Sequence, residues 1–180
     1  MPTIYLSPSL QESNPFYGGG SEEYYMNLIA DAMEPYLTAS GINFVRNNPE
    51  DSLTKTINDS NMGNYDLHLA IHSNASSADR AGQNTGVQVY YYPSSVRGQR
   101  LANVIADNYK GLYPDPNKIT TIPTTNLAEV RRTKAPAALV EVAFHDNPSD
   151  AQWIRENIDG IARTLSQSVA DYLGVPFVSP

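Results

Sequence analysis

Short apolar runs alternate with stretches of helical spacing along nearly the whole chain, and no other feature restricts the fold so much. Ile4 to Leu6, Ile42 to Val45, Asp66 to Ile71, Val87 to Tyr92 and Ala137 to Phe144 read as strands. The third and fifth are almost continuously apolar, as strands buried on both faces are. Between them, apolar positions recur at helical spacing. They do so through Leu28, Ile29, Ala32, Met33, Tyr36 and Leu37, and again through Leu101, Val104, Ile105 and Tyr109. A third set runs from Asn147-Pro148 through Trp153, Ile161 and Val169 to Tyr172, and a weaker helix fits Leu53 to Met62. Alternation of this kind predicts one α/β domain with a twisted, mostly parallel sheet of about six strands and helices on both faces.

Punctuation supports the same division. Ser21 before Glu22 and Glu23 looks like a helix N-cap with an acidic first turn. Gly41 and Gly174 suit helix ends. Pro35 falls inside the first helical stretch, which predicts a kink or short break there. The chain of 180 residues shows no internal boundary or repeat. Residues 1–174 are expected to form the domain, and residues 175–180 a tail or linker stub.

Composition narrows the function classes. The formal net charge is -7 and the pI about 4.8, which argues against nucleic acid as a partner. With no cysteine, disulfides, thiolate metal sites and cysteine nucleophiles are excluded. A bound metal must therefore rest on histidine, carboxylates or neutral oxygens. The segment Met1 to Leu6 has neither the basic region nor the apolar stretch of a signal peptide, and no run is long enough for a membrane span.

In parallel α/β sheets the site lies beyond the carboxyl ends of the strands. That rule singles out the loop after Leu6, His72 and Glu141. His72 ends an apolar strand and is followed by Ser73-Asn74-Ala75. A carboxylate at Glu141, within Ala138 to Phe144, is costly to bury unless it is paired or functional, and burial would raise its pKa toward a general acid or base. Arg131, Arg132 and Lys134 are near enough in sequence to be its ion-pair partners. Glu22 starts a helix, where a carboxylate serves the helix dipole or a metal. Zinc hydrolases use three His or carboxylate ligands, an open position for water and a separate Glu as base. Glu22, His72 and Glu141 match two ligands and a base, with one ligand missing. His68, at the start of its strand, reads as structural, and Tyr90 to Tyr92 as strand packing. Ser73 and Ser76-Ser77 lack a nucleophile-elbow pattern.

Two segments carry a resemblance. Leu69-Ala70-Ile71-His72-Ser73-Asn74-Ala75 and Ala138 to Phe144 with His145-Asp146-Asn147 resemble conserved segments of the zinc-dependent N-acetylmuramoyl-L-alanine amidases of autolysins, spore-cortex enzymes and phage endolysins. Glu22, before the first long helix, matches the same family, and the similarity extends from Ile4 to about Leu173. The resemblance implies Zn2+ as cofactor, with His72 and Glu22 as ligands and Glu141 as the catalytic glutamate. It implies Asn74, His145 and Arg131 as substrate-facing or supporting residues. It also implies bacterial peptidoglycan as substrate and action at the cell wall; the chain is expected to be a monomer. The family usually opens with a DPGHGG-like loop whose histidine binds zinc. Here Leu6-Ser7-Pro8-Ser9-Leu10-Gln11 stands in its place, with Leu10 at the histidine position. Gln11 is the favoured substitute, since its amide oxygen can ligate; Glu12 and His145 are alternatives. Two other readings stay open: a peptidoglycan-binding module with a degenerate metal site, and a zinc peptidase of the stem peptide.

Overall fold

The computed structural model describes residues 1–180. In chain order the elements are β1 (Thr3–Pro8), α1 (Glu22–Ala39), β2 (Asn43–Arg46), α2 (Leu53–Met62), β3 (Leu67–Asn74) and β4 (Val87–Tyr91). Then follow α3 (Val96–Tyr109), β5 (Ile119–Pro123), α4 (Ala128–Arg131), β6 (Ala137–Phe144), α5 (Pro148–Glu156) and α6 (Ile158–Leu173). The six strands form one sheet in the order β2-β1-β3-β6-β4-β5. Every pairing is parallel except β4 with β6. The expected single α/β domain with a mostly parallel sheet is therefore what the chain forms. No helix is long and apolar enough to cross a membrane.

The two faces of the sheet differ. Ile4, Leu6, Leu67, Leu69, Ile71, Val140 and Val142 point into the main core, which α1, α3, α5 and α6 complete. Because side chains alternate along a strand, the residues between them point the other way. Ala70, Ala137 and Leu139 meet Val130 of α4 in a small second cluster. On that second face the same alternation places Ser7 of β1, His68 and His72 of β3, and Glu141 of β6. The register sets His72 directly beside Glu141, and an irregularity follows between His72 and Asn74.

Three local expectations need correction. First, α1 runs from Glu22 to Ala39 with Pro35 inside it, so the short break does not occur. Pro35 is on the exposed side of the helix, where a carbonyl left without its amide partner can turn to water. Second, the final helix is two helices separated at Asn157, whose backbone leaves helical values at φ -124 and ψ 24. The Asn157 side chain donates to the Trp153 carbonyl at 2.8 Å, competing with the backbone in the way asparagine does. Third, β5 had no apolar signature; Thr120 and Thr121 dilute it, and it survives as an edge strand ending at Pro123. Residues 175–180 have no regular structure but lie against the domain. Phe177 stacks on Tyr36 at 5.9 Å between ring centroids, and the Val178 amide donates to Ser40 Oγ at 2.9 Å.

Candidate active site

Glu22 is delivered by the start of α1, and that start is built by local chemistry. Ser21 caps the helix by accepting from the Tyr24 amide at 3.2 Å, and the Glu22 amide donates to the Asn14 carbonyl at 2.9 Å. The preceding loop turns through Gly18, Gly19 and Gly20 at φ 81, 112 and 86, a region that side chains disfavour. A Cβ on Gly20 would also stand 2.6 Å from Cε2 of Tyr25. Arg155 of α5 ties the loop down: its guanidinium donates to the carbonyls of Tyr17 and Gly19 and, at 2.9 Å, to the Tyr25 hydroxyl.

From Glu22 a continuous polar network crosses the sheet face. Its Oε1 lies 2.9 Å from His72 Nδ1 and accepts from the Ser73 amide at 3.3 Å. Its Oε2 accepts from Asn14 Nδ2 at 2.8 Å, and the same Nδ2 donates to Gln11 Oε1 at 2.7 Å. On the far side of the ring, His72 Nε2 lies 3.1 Å from Glu129 Oε2. Glu129 Oε1 takes the Ser7 hydroxyl and His68 Nε2, the latter at 3.0 Å, and His68 Nδ1 lies 2.8 Å from Ser60 Oγ.

Electrostatics follow from this arrangement. Burial alone would disfavour a charged His72, but hydrogen bonds to Glu129 and Glu22 outweigh it and hold the pKa well above the usual histidine range. Burial likewise pushes Glu129 and Glu22 upward, and the histidine partners overcome it, so both carboxyls are held low. Glu141 is different. Its Oε2 is buried without a hydrogen-bond partner. Desolvation drives its pKa up to about 7, with His72 opposing and Glu22 reinforcing the shift. Beside His72 and Glu129 opens a cleft of about 490 Å³, lined also by Leu10, Gln11, Asp51 and Leu53; Glu22 and Glu141 stand behind that wall.

His72, Glu22 and Glu141 thus come together. Two donors bound at about 2 Å to one tetrahedral ion stand about 3.3 Å apart. The 2.9 Å between His72 Nδ1 and Glu22 Oε1 is near that edge. No three His, Asp or Glu side chains are placed so as to hold a metal ion between them, so a metal would need a third donor of another kind. Gln11 Oε1 is such a donor, linked to Glu22 through the Asn14 amide. A metal there would draw on one imidazole, one carboxylate and one neutral amide oxygen, a weaker set than three histidine or carboxylate ligands. Leu10 lines the cleft and offers nothing to a cation.

The remaining candidates divide. His145 is buried, its Nδ1 2.9 Å from Ser73 Oγ and its ring stacked on Phe16. Desolvation lowers its pKa. Asn74 donates to Gln88 Oε1 at 2.8 Å, and Gln88 is the register partner of Glu141. Arg131 is exposed and donates to the Thr125 carbonyl at 3.3 Å, and Lys134 turns to Asn61 and Asn64; neither hydrogen-bonds to Glu141. His68 is buried as a structural histidine would be, yet Glu129 joins it to His72. Sequence reasoning missed Glu129. The available signal was a carboxylate between Leu127-Ala128 and Val130, the same kind of misplaced charge that drew attention to Glu141.

Residues 8–171 match the family described as N-acetylmuramoyl-L-alanine amidase. The chain belongs to this amidase family. The N-acetylmuramoyl-L-alanine amidase LytC of Bacillus subtilis is 28% identical over 179 residues, covering 94% of this chain and 35% of that protein. The probable cell wall amidase LytH of Staphylococcus aureus is 25% identical over 182 residues, covering 97% of this chain and 58% of its own. The chain therefore spans roughly a third to three-fifths of these curated relatives' length. Among solved structures, the amidase AmiC2 of Nostoc punctiforme superposes with a TM-score of 0.82 at 21% identity, covering 96% of this chain and 97% of that one. At that identity the likeness speaks for the fold.

Proposed function

We propose that this amidase-family domain hydrolyses the amide bond between N-acetylmuramic acid and L-alanine in bacterial peptidoglycan, at the cell wall, with zinc as cofactor. The observation that carries this reading is the convergence of His72 Nδ1 and Glu22 Oε1 beside Glu141, whose Oε2 is buried and unpartnered. Zinc would be held by His72, Glu22 and Gln11, and when bound it supplies Lewis-acid polarisation of the scissile carbonyl and acidifies water.

The chain's own residues supply the proton movements. Glu141, with a pKa near 7, takes a proton from the attacking water onto its free oxygen. It then releases that proton to the alanine nitrogen as the carbon–nitrogen bond breaks. Burial makes both transfers feasible near neutral pH, because a carboxyl with an ordinary pKa would be a weaker base and would hold the proton too loosely for delivery. Glu129 and Asn14 orient His72 and Glu22 by hydrogen bonds. The alternative of a peptidoglycan-binding module draws on Leu10 and on the lack of three conventional ligands.

Mass spectrometry of digested peptidoglycan, with and without chelator, tests the reading. The expected products are intact glycan strands and stem peptides with free L-alanine amino termini, lost on chelation and restored by zinc. New termini within the peptide would transfer the assignment to a peptidase. Binding without any product, with zinc supplied, would leave the binding module.

A further inference from the structure

We propose that Glu129 is a positioning residue for this reaction, holding the His72 ring so that Nδ1 alone is left to face Glu22 and the metal; the inference rests on His72 acting as a ligand.

The two oxygens of Glu129 have separate tasks. Oε1 already accepts from Ser7 Oγ and His68 Nε2, which is enough to satisfy a buried carboxylate on the α4 side of the sheet. Oε2 has one partner, Nε2 of His72 at 3.1 Å. Glu129 is 3% exposed and His68 is fully buried, so the carboxylate is held from behind while its bond to His72 lies at the wall of the cleft. A carboxylate there accepts only, so His72 Nε2 must carry a proton. Nδ1 faces the Glu22 carboxylate at 2.9 Å and carries a proton as well while no metal is bound; a metal held there with Glu22 would take that proton's place, and Nε2 would keep its bond to Glu129. Metal-binding histidines are commonly oriented in this way by an acceptor on the other nitrogen. Here the support matters more than usual, because Leu10 leaves the site with fewer strong ligands.

Glu129→Gln is nearly isosteric and separates the two oxygens. Its carbonyl oxygen is best used where two donors, Ser7 and His68, converge. Its NH2 then points at His72 Nε2, which must accept, so the ring's proton stays on Nδ1, the atom a metal would need free. Zinc affinity, measured by competition with a chromophoric chelator, is expected to fall about 10- to 100-fold. Turnover should fall in kcat with KM little changed. In the long-range proton–nitrogen spectrum of the metal-free protein at about pH 8, His72 Nε2 should carry its proton in the natural protein and lack it in the variant. His68→Gln is the structural control: it disturbs the Oε1 side only, so stability drops while zinc affinity stays within about threefold. Unchanged affinity and an unchanged His72 signal in Glu129→Gln would overturn the inference. So would an equal loss of affinity in His68→Gln, since the network would then be structural alone. If the natural protein neither binds zinc nor cleaves peptidoglycan, the functional reading fails, and the His72 signal by itself still decides what Glu129 does to the ring.

Discussion

Glu141 stands where a strand residue must choose between being costly and being useful. In the folded chain burial lifts its pKa from 4.5 to about 7, so between those values the folded state binds the proton more tightly than the unfolded state. Stability contributed by the protonated form is therefore lost as pH rises through that window. Glu141→Gln should abolish at least about 99% of amidase activity, as expected when a general acid and base is removed. In the metal-free protein the same change should raise the melting temperature, with a gain that grows from about pH 4.5 to 7 and then levels off. Melting curves across that range check the sign; a gain that shrinks with pH would refute the burial argument. At Leu10 the expectation concerns the metal. Leu10→His puts an imidazole into the cleft beside Gln11 and should tighten zinc binding by about tenfold or more, read by chelator competition.

The start of α1 shows how an element sets a side chain. Glu22 reaches His72 only because the loop before it turns through three left-handed glycines and is clamped by Arg155. Gly20→Ala imposes both a disfavoured φ and a 2.6 Å approach to Tyr25. It should cost about 1–2 kcal/mol of stability. Activity should fall further than that loss explains, because Glu22 moves with the loop. Thermal denaturation together with the specific activity of the folded fraction separates the two effects. The helix α4, only four residues long, makes a related point. Its place in the fold comes from Val130 on the second face and from Glu129 reaching Ser7, His68 and His72. Helical propensity cannot hold so short a segment.

Over the whole molecule, the metal is expected to act on stability as well as chemistry. Zinc that binds only the folded chain at about a hundred times its dissociation constant adds about 2.7 kcal/mol. For a domain of this size that is a rise of about 5–10 °C in melting temperature. A zinc titration by differential scanning calorimetry measures it, and Glu22→Ala should abolish the shift as well as lower the metal-free melting temperature, because Glu22 is buried against His72 and Asn14. No shift at any zinc concentration would count against a metal site built on Glu22 and His72.

The sequence alone determined the layers of this protein and most of its candidate site. Apolar runs of strand length and helical periodicities are local signals, and the rule that sites lie past strand ends led to His72 and Glu141. Other features were decided by tertiary structure. That β4 runs antiparallel to β6, that β5 exists at the edge, and that Pro35 sits inside a helix all depend on neighbours rather than on local preference. Glu129 is the clearest case. It lies 57 residues from His72 and 61 from His68 along the chain, with no periodicity connecting them. Only folding, which sets α4 over the face that His68, His72 and Ser7 share, makes one carboxylate the partner of all three, because hydrogen bonds depend on distance in space and are blind to separation in sequence.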